Sequence, residues 1–234
     1  MIPSTSLWVY LSASPLLWLT GTLAVWISVS AISRRLGSHP FANPVLLSVV
    51  IIACVLSFTR VSYSSYFEGA QFIHFLLGPA TVALAVPLVR QIKLVTSNIL
   101  PMVAALAVGS VTAVVSVIML GHVMGLPEGM IISMAPKSST AGVAMAISSR
   151  LGGDAGLTAV LVICTGICGA VIVTPFMNLM RIRDYAARGF AVGLASHGIG
   201  TARAYAVDPI AGLFAGIAMA MNAIVTSLVV PLFL

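Results

Sequence analysis

The sequence predicts an all-α polytopic membrane protein, and three observations carry that prediction. Apolar residues make up 60% of the 234-residue chain and charged residues only 7%, where a soluble domain has about a quarter of its residues charged. Apolar runs recur from end to end, each long enough, or nearly so, to cross a hydrocarbon core of ~30 Å. The basic residues lie singly or in pairs in short connections, which is typical of membrane proteins and is not the pattern of a nucleic-acid surface. We therefore expect a single integral membrane domain over residues 1–234.

Eight apolar segments follow one another along the chain. The first ends at the basic pair Arg34 and Arg35, the second is short, and the third contains two prolines. The fourth and sixth are long and uninterrupted, whereas the fifth is broken at Pro136 and the seventh by glycines and polar residues. The last is apolar almost throughout. In order, the segments are residues 16–31, 44–58, 72–89, 99–120, 130–149, 157–179, 189–207 and 210–234.

Basic residues cluster in three connections that the positive-inside rule assigns to the cytoplasm: residues 34–35, 90–93 and 181–188. Two segments separate the first cluster from the second, which leaves both on one side with the N-terminus outside. Three apolar segments separate the second basic cluster from the third, so one of these segments fails to cross if both clusters are cytoplasmic. Residues 99–120 and 157–179 are long and uninterrupted. We therefore expect residues 130–149 to form a re-entrant hairpin that enters from outside, with its tip at 136–140. The alternative is that one basic cluster violates the rule.

Residues 189–207 form a second interrupted segment, short, rich in glycine and broken by polar side chains. Non-helical backbone at membrane depth is tolerated only where it is buried in protein or lines a watery cavity. Interrupted segments in both halves are typical of transporters built of repeats, with the site near the midplane. The fold prediction is therefore about six full spans plus two broken or re-entrant segments. An inverted repeat, as in elevator-type transporters, fits this pattern, and residues 72–89 are a further candidate for an interrupted segment.

The first interrupted segment carries the stretch Pro-Lys-Ser-Ser-Thr. Pro136 suits the first turn of a half-helix. Such a half-helix would point the N–H groups of Ser138, Ser139 and Thr140 toward the middle of the membrane. A helix N-terminus attracts anions, and Lys137 adds a point charge. A charge at bilayer depth costs ~2.5–3.5 kcal/mol, and all five acidic residues lie in predicted loops or at segment ends. The pattern favours a small organic anion as the counter-ion of Lys137. The alternative is that Lys137 snorkels to the interface and the serines cap an ordinary helix.

The second interrupted segment contains the stretch Ser-His-Gly-Ile-Gly-Thr-Ala-Arg at residues 196–203. His197 is a candidate for proton coupling, because histidine gains and loses a proton near neutral pH. Arg203 is able to pair two carboxylate oxygens, and glycines such as Gly198 allow a close approach of the backbone. The alternative is a packing kink with Arg203 at an interface.

Other kinds of chemistry lack their usual residues. Cys54, Cys164 and Cys168 lie inside apolar runs, and an odd number of cysteines gives no disulfide framework, so we interpret them as packing residues. Ser196 and His197 do not form a catalytic serine–histidine pair, because adjacent residues on a helix face away from each other. We expect no enzymatic activity, no metal and no cofactor, and the absence of carboxylates inside the apolar segments disfavours a cation pump.

At these stretches the chain resembles the LrgB/CidB family of antiholin-like membrane proteins and the C-terminal half of the plastid glycolate/glycerate translocator. The matching stretches are MAPKSST at 134–140, LTAVLVICTGICGAV at 157–171 and RIRDYAARGFAVGLASHGIGTARA at 181–204. The resemblance covers about residues 41–234. The chain departs from the family at Gly142 and Val143, where a proline and an isoleucine are usual.

The resemblance implies transport of small monocarboxylates such as glycolate, glycerate or pyruvate. It also implies an older role, the regulation of murein hydrolase export and autolysis with a small LrgA/CidA-like, holin-like membrane partner. We expect a multi-pass protein of the inner (plasma) membrane, and a homodimer by analogy. The positions that match the family are Lys137, Ser138, Thr140, Ser196, His197, Gly198, Thr201 and Arg203. With Ser139 from the residue argument, these form the predicted substrate site. A secondary transporter is the leading hypothesis and an antiholin-type regulator the alternative.

Overall fold

The computed structural model of the protein describes residues 14–36, 42, 44–83 and 85–234, and regular structure within them is helical throughout. An all-α membrane fold was predicted, and this prediction is confirmed. The helices of the described residues are α1 (Pro15–Arg35), α2 (Pro44–Thr59), α3 (Tyr63–Phe75), α4 (Leu77–Ala83), α5 (Ala85–Arg90), α6 (Ile92–Ser97), α7 (Ile99–Val123), α8 (Glu128–Met134), α9 (Ala141–Leu151), α10 (Ala155–Leu179), α11 (Tyr185–Val207) and α12 (Pro209–Phe233).

The chain forms two compact units, Met1–Ala85 and Val86–Leu234. In the first unit α1 packs against α2 and α3. Trp18 of α1 meets Tyr66 of α3 edge-on, with ring centroids 5.9 Å apart. The backbones approach closely at Gly69, where a Cβ would lie 2.9 Å from the Cβ of Trp18. All of the predicted site residues lie in the second unit.

Four of the described helices are long and apolar enough to cross a membrane: α1, α7, α10 and α12. They correspond to four of the predicted spans, with similar boundaries, because each coincides with an uninterrupted apolar run. The shorter apolar helix α2 matches the predicted second segment.

The third predicted segment, residues 72–89, does not form one helix. It is interrupted at Leu76, between the end of α3 and the start of α4. Gly78 and Pro79 explain this interruption, because proline is well tolerated in the first turn of a helix and poorly tolerated further inside one. The count of this segment among the six full spans is therefore wrong, and its interpretation as a further interrupted segment agrees with the structure.

The first interrupted segment forms a re-entrant hairpin, as predicted, with α8 and α9 as its arms. The outer ends of the arms adjoin, since a Cβ on Gly129 would lie 3.9 Å from the carbonyl oxygen of Gly152. Both arms also contact the start of α10, where the hydroxyl oxygen of Thr158 lies 3.0 Å from the carbonyl oxygen of Ser133 and 2.8 Å from Oγ of Ser148. The chain thus enters and leaves at the same side. We refer to the non-helical residues 135–140 as the first tip.

The second interrupted segment, α11, also folds back on itself. Its backbone leaves the helical conformation at Ser196 (φ −128°, ψ 15°) and His197 (φ 41°, ψ −134°), which we refer to as the second tip. Residues 185–195 form the outgoing arm and residues 198–207 the return arm. A Cβ on Gly200 would lie 2.8 Å from the carbonyl oxygen of Val192, whereas eight residues of straight helix would separate them by ~12 Å. The second broken segment is therefore a hairpin as well.

Each hairpin is followed by an aspartate N-cap and a helix of 25 residues. The Asp154 carboxylate accepts a hydrogen bond from the N–H of Leu157 (2.9 Å), and the Asp208 carboxylate accepts one from the N–H of Ile210 (2.8 Å). Because a re-entrant hairpin adds no crossing, α10 and α12 cross the membrane in opposite directions and the two hairpins enter from opposite sides. The inverted repeat itself stays a prediction.

Candidate functional site

The first tip is held by turns rather than by a helix that begins at Pro136. The N–H of Lys137 donates to the carbonyl of Met134 (3.1 Å), and the N–H of Ser139 donates to the carbonyl of Pro136 (2.9 Å). Helix α9 begins only at Ala141, so the half-helix expected over the Pro-Lys-Ser-Ser-Thr stretch is wrong in its starting point. The stretch forms the connection between two short helices.

The end of the first tip leaves polar groups without protein partners. Thr140 is the N-cap residue of α9, and its side chain makes no capping hydrogen bond, so the first-turn N–H groups receive no side-chain acceptor. The hydroxyl of Ser139 is buried and makes no hydrogen bond to any described residue. Neither Ser139 nor Thr140 lines the cavities described below.

The second tip is strained at His197. A φ of 41° is unfavourable for a residue with a side chain and costs of the order of 1–3 kcal/mol. The His197 ring is only 5% exposed, and its Nε2 lies 2.9 Å from the carbonyl oxygen of Val162 in α10. Since a carbonyl oxygen only accepts, Nε2 carries the hydrogen in this contact. The ring lies against Gly166, where a Cβ would be 2.7 Å from Cε1. Packing against α10 therefore maintains the strained backbone.

Asn222, near the middle of α12, joins the two tips. Its side-chain amide donates to the carbonyl of Ser138 in the first tip (3.0 Å) and to the carbonyl of Leu194, two residues before the second tip (3.1 Å). Its oxygen accepts hydrogen bonds from the hydroxyls of Ser110 in α7 (2.7 Å) and Thr226 (3.2 Å). The polar groups of both broken segments thus converge on one buried side chain at the middle of a spanning helix.

A cavity of about 630 Å³ lies beside this junction, and we name it the central cavity. Lys137 is the one charged side chain among the described residues that line it. Its other lining residues are mostly small or carry hydroxyl or thiol groups: Gly109, Thr112, Ala113, Ser138, Leu161, Cys164, Thr165, Cys168, Gly169, Leu194, Ala195 and Ser196. Both tips and the middles of α7 and α10 therefore contribute to it.

Lys137 is half-buried, and its ammonium makes no hydrogen bond or ion pair with residues 14–36, 42, 44–83 or 85–234. The lining of the central cavity, so far as the structure describes it, contains no carboxylate. A positive charge at this depth without a protein counter-ion generates a local potential that attracts anions, and the low dielectric of the surroundings strengthens it.

The predicted site residues divide into groups in the structure. Lys137, Ser138 and Ser196 line the central cavity together. His197 and the residues after it face elsewhere: the hydroxyl of Thr201 donates to the carbonyl of His197 (2.8 Å), and a Cβ on Gly198 would lie 3.8 Å from Sδ of Met219.

Arg203 lies in another cavity, of about 290 Å³, which we name the arginine cavity. It is lined by the base of the second hairpin and the ends of α10 and α12 that adjoin it, and it also contains Arg188 and Asn178. The arginine cavity and the central cavity share no lining residue. Arg203 and Lys137, which were predicted to belong to one substrate site, therefore line different cavities, because the return arm carries Arg203 away from the tip.

Sequence reasoning did not select Asn222. A signal was present, since an amide side chain in the middle of a long apolar helix is uncommon and usually functional or structural. Cys164 and Cys168 were interpreted as packing residues, and the structure places both, exposed, in the lining of the central cavity. Their spacing of four residues on one helix face was the available signal.

Residues 22–234 match the LrgB-like family over nearly the whole chain. The chain belongs to the LrgB family. The resemblance noted in the sequence is thereby confirmed, and membership extends further toward the N-terminus than residue 41.

Relatives of this LrgB-family chain include YxaC of Bacillus subtilis, which is 32% identical over 90% of this chain and 91% of its own length. YwbG of the same organism is 30% identical over 91% of this chain and 94% of its own length. The holin-like protein CidB of Staphylococcus aureus is 30% identical over 84% of this chain and 86% of its own length. No solved structure matches the chain. It is therefore a multi-pass membrane protein of the holin-like and antiholin-like kind.

Proposed function

We propose that this protein is a secondary transporter of small organic monocarboxylates such as glycolate, glycerate and pyruvate. The observation that carries the proposal is Lys137: it has no protein counter-ion and lies in a cavity between two re-entrant tips at the middle of the membrane helices. In membrane proteins an ionisable residue at such a place marks a substrate or ion pathway by default. Transporters of repeat architecture bind substrate where broken helices meet.

The chemistry of the central cavity fits a singly charged carboxylate. One ammonium balances one carboxylate, so the loaded cavity is close to neutral and a dianion would leave a net negative charge. The hydroxyls of Thr112, Thr165 and Ser196 line the same cavity and are able to bond to the hydroxyl or keto oxygen of a two- or three-carbon acid. Small lining side chains leave room for the substrate.

His197 remains our candidate for proton coupling, acting from outside the cavity lining through the second tip that it shares with Ser196. We further propose location in the inner (plasma) membrane, a homodimeric state and a small LrgA/CidA-like membrane partner. We propose no enzymatic activity.

The test of the proposal uses the two lysines of the chain, Lys137 and Lys93. Uptake of labelled glycolate, glycerate and pyruvate is measured in proteoliposomes. Lys137→Ala should remain folded, because it removes a charge whose insertion costs ~2.5–3.5 kcal/mol, and its uptake should collapse. Lys137→Arg should be partly active at best, since a planar guanidinium does not replace a point charge.

Lys93→Ala is the matched control, because Lys93 is exposed in the short helix α6 and its loss should leave uptake unchanged. The transported acid should also raise the melting temperature of the wild type and of Lys93→Ala by more than that of Lys137→Ala, in which the central cavity no longer binds it. Normal uptake by Lys137→Ala would overturn the proposal.

The alternative, an antiholin-type regulator of murein hydrolase export and autolysis, is favoured by the holin-like name of the Staphylococcus aureus relative. A regulator that acts by forming lesions would release an entrapped neutral dye from the same liposomes, whereas a transporter would retain it. Dye release without saturable uptake of any of the acids, alone or with the small partner, would support the alternative.

A further inference from the structure

We infer that the arginine cavity is a second anion site, separate from the central cavity, that binds the carboxylate or phosphate group of its ligand. It lies at the base of the second hairpin, where α10 ends and α11 and α12 begin. The inference depends on this cavity alone and stands whether or not the central cavity transports monocarboxylates.

Arg203 is the first reason for the inference. Its side chain is only 8% exposed, and its buried Nε has no hydrogen-bond partner. No guanidinium nitrogen of Arg203 makes a hydrogen bond or ion pair with the residues that the structure describes. Leaving a buried charge unpaired is costly, and proteins usually satisfy it with an opposite charge. An oxyanion in the cavity would accept two parallel hydrogen bonds from the planar guanidinium.

Arg188 supplies a second positive charge to the same cavity. Its Nη2 donates to the carbonyl of Thr174 (3.2 Å) and to the side-chain oxygen of Asn178, and its guanidinium lies 6.0 Å from the ring centroid of Tyr185. These contacts hold the guanidinium in place, yet all three partners are neutral. The guanidinium of Arg188 is therefore fixed in position, but none of these partners carries a negative charge that would balance it.

The carboxylates closest in sequence to this cavity, those of Asp184 and Asp208, cap helices and do not pair with the two arginines. Asp184 accepts from the N–H of Ala187 (2.8 Å), and Asp208 accepts from the first amides of α12, so both are used as helix caps. Neither lines the arginine cavity. Two arginines in one cavity without an acidic lining residue, among those described, form a site for a negative ligand.

The position of the arginine cavity along α10 keeps it separate from the central cavity. Gly169 lines the central cavity and Val173 lines the arginine cavity, one helical turn further along. An anion held by the two arginines would therefore lie between Lys137 and the end of the bundle that carries the basic loop at residues 181–188.

The experiment measures anion binding to the purified full chain in nonionic detergent by calorimetric titration with inorganic phosphate and, separately, with glycolate. Lys137→Ala is the parent protein, so that the central cavity contributes no charge. Arg203→Gln and Arg188→Gln in this parent should each weaken binding about tenfold or more, because each removes a charge-assisted hydrogen-bond donor. Arg183→Gln, which removes an exposed arginine of the adjoining loop, is the matched control and should change affinity less than about twofold.

A second measurement covers the possibility that Arg203→Gln does not fold. In the wild type, phosphate should slow the modification of Arg203 by phenylglyoxal and leave that of Arg183 unchanged, as quantified by peptide mass spectrometry. Absence of saturable binding to the Lys137→Ala parent, unchanged affinity after both arginine substitutions, or lack of protection of Arg203 would each overturn the inference.

The source of the anionic group is resolved in lipid nanodiscs. Phosphate binding that persists in phosphatidylcholine and in phosphatidylglycerol discs would identify a soluble ligand. Phosphate binding that is lost in phosphatidylglycerol discs, together with phosphatidylglycerol retained by the parent and not by Arg203→Gln, would identify a lipid headgroup as the occupant. Both results support the site, and failure to detect either ligand would refute it.

Discussion

Replacing Asn222 by leucine should uncouple the two tips. The substitution keeps a similar volume and removes four hydrogen bonds, to Ser110, Ser138, Leu194 and Thr226. At an average of ~0.6 kcal/mol for a hydrogen bond between membrane helices, their loss amounts to about 2.4 kcal/mol. Two backbone carbonyls are also left buried without a partner, at about 1–3 kcal/mol each where no water replaces the amide. We therefore expect Asn222→Leu to lower the free energy of unfolding by about 2 kcal/mol if water replaces the amide at both carbonyls, and by up to about 8 kcal/mol if it replaces the amide at neither.

The free energy of unfolding is measured by equilibrium denaturation in mixed detergent micelles, and amide hydrogen exchange reports on the tips. Ser110→Ala, which removes one of the four bonds, should lower the free energy of unfolding by about 1 kcal/mol or less. Ser116→Ala is its control on the same helix, because the exposed Ser116 hydroxyl donates only to a carbonyl of its own helix. If Asn222→Leu retained wild-type stability and exchange protection at both tips, the proposed linkage through Asn222 would be refuted.

Three further predictions follow. Gly169→Ala places a Cβ against the side chain of Ser196 at the second tip, so it should lower the free energy of unfolding by about 1–3 kcal/mol and reduce uptake. Gly142→Ala is the control and should be tolerated, because a Cβ there has no atom within 4 Å. Equal stability and uptake of the two variants would contradict the packing at Gly169. His197→Gln keeps an amide donor for the α10 carbonyl but does not titrate near neutrality, so it should flatten the pH dependence of uptake, and an unchanged pH profile would assign His197 to packing. A cysteine at Arg183 should be protected from impermeant thiol reagents in intact cells and one at Gly125 should be labelled; labelling at Arg183 from outside would exclude the predicted orientation.

The long spans were predictable because hydropathy alone determines them. α7, α10 and α12 coincide with uninterrupted apolar runs, and their ends fall where charged or turn-forming residues begin. The re-entrant nature of the first hairpin followed from charge placement, since two basic connections had to lie on one side. Residues 72–89 were counted as a span on their hydropathy, although their prolines already indicated an interrupted segment, because overall hydropathy does not reveal where a proline divides a helix.

The sequence indicated which charged residues lie in the interrupted segments, but not which of them share a cavity. Lys137 stood out because its burial in an apolar segment is costly, which a sequence can show. Whether Arg203 faces Lys137 depends on the reversal of the chain at Ser196 and His197. The sequence of residues 196–203 is compatible with a straight helix as well as with a hairpin, so it does not reveal this reversal. Asn222 was missed because its four partners come from three other parts of the chain as well as its own helix, and only the packed structure brings them together.

The lone charge of the central cavity has a consequence for the energetics of transport. In the proposed cycle, the empty cavity carries the ammonium of Lys137, whereas the cavity loaded with a monocarboxylate is close to neutral. A membrane potential that is negative inside therefore acts mainly on the empty carrier and draws it toward the cytoplasmic side, by up to ~2.3 kcal/mol per 100 mV if the charge crosses the whole field. Net import requires the empty carrier to return outward against this potential, while exchange of one acid for another avoids the step. The voltage should accordingly slow net import and leave exchange almost unaffected.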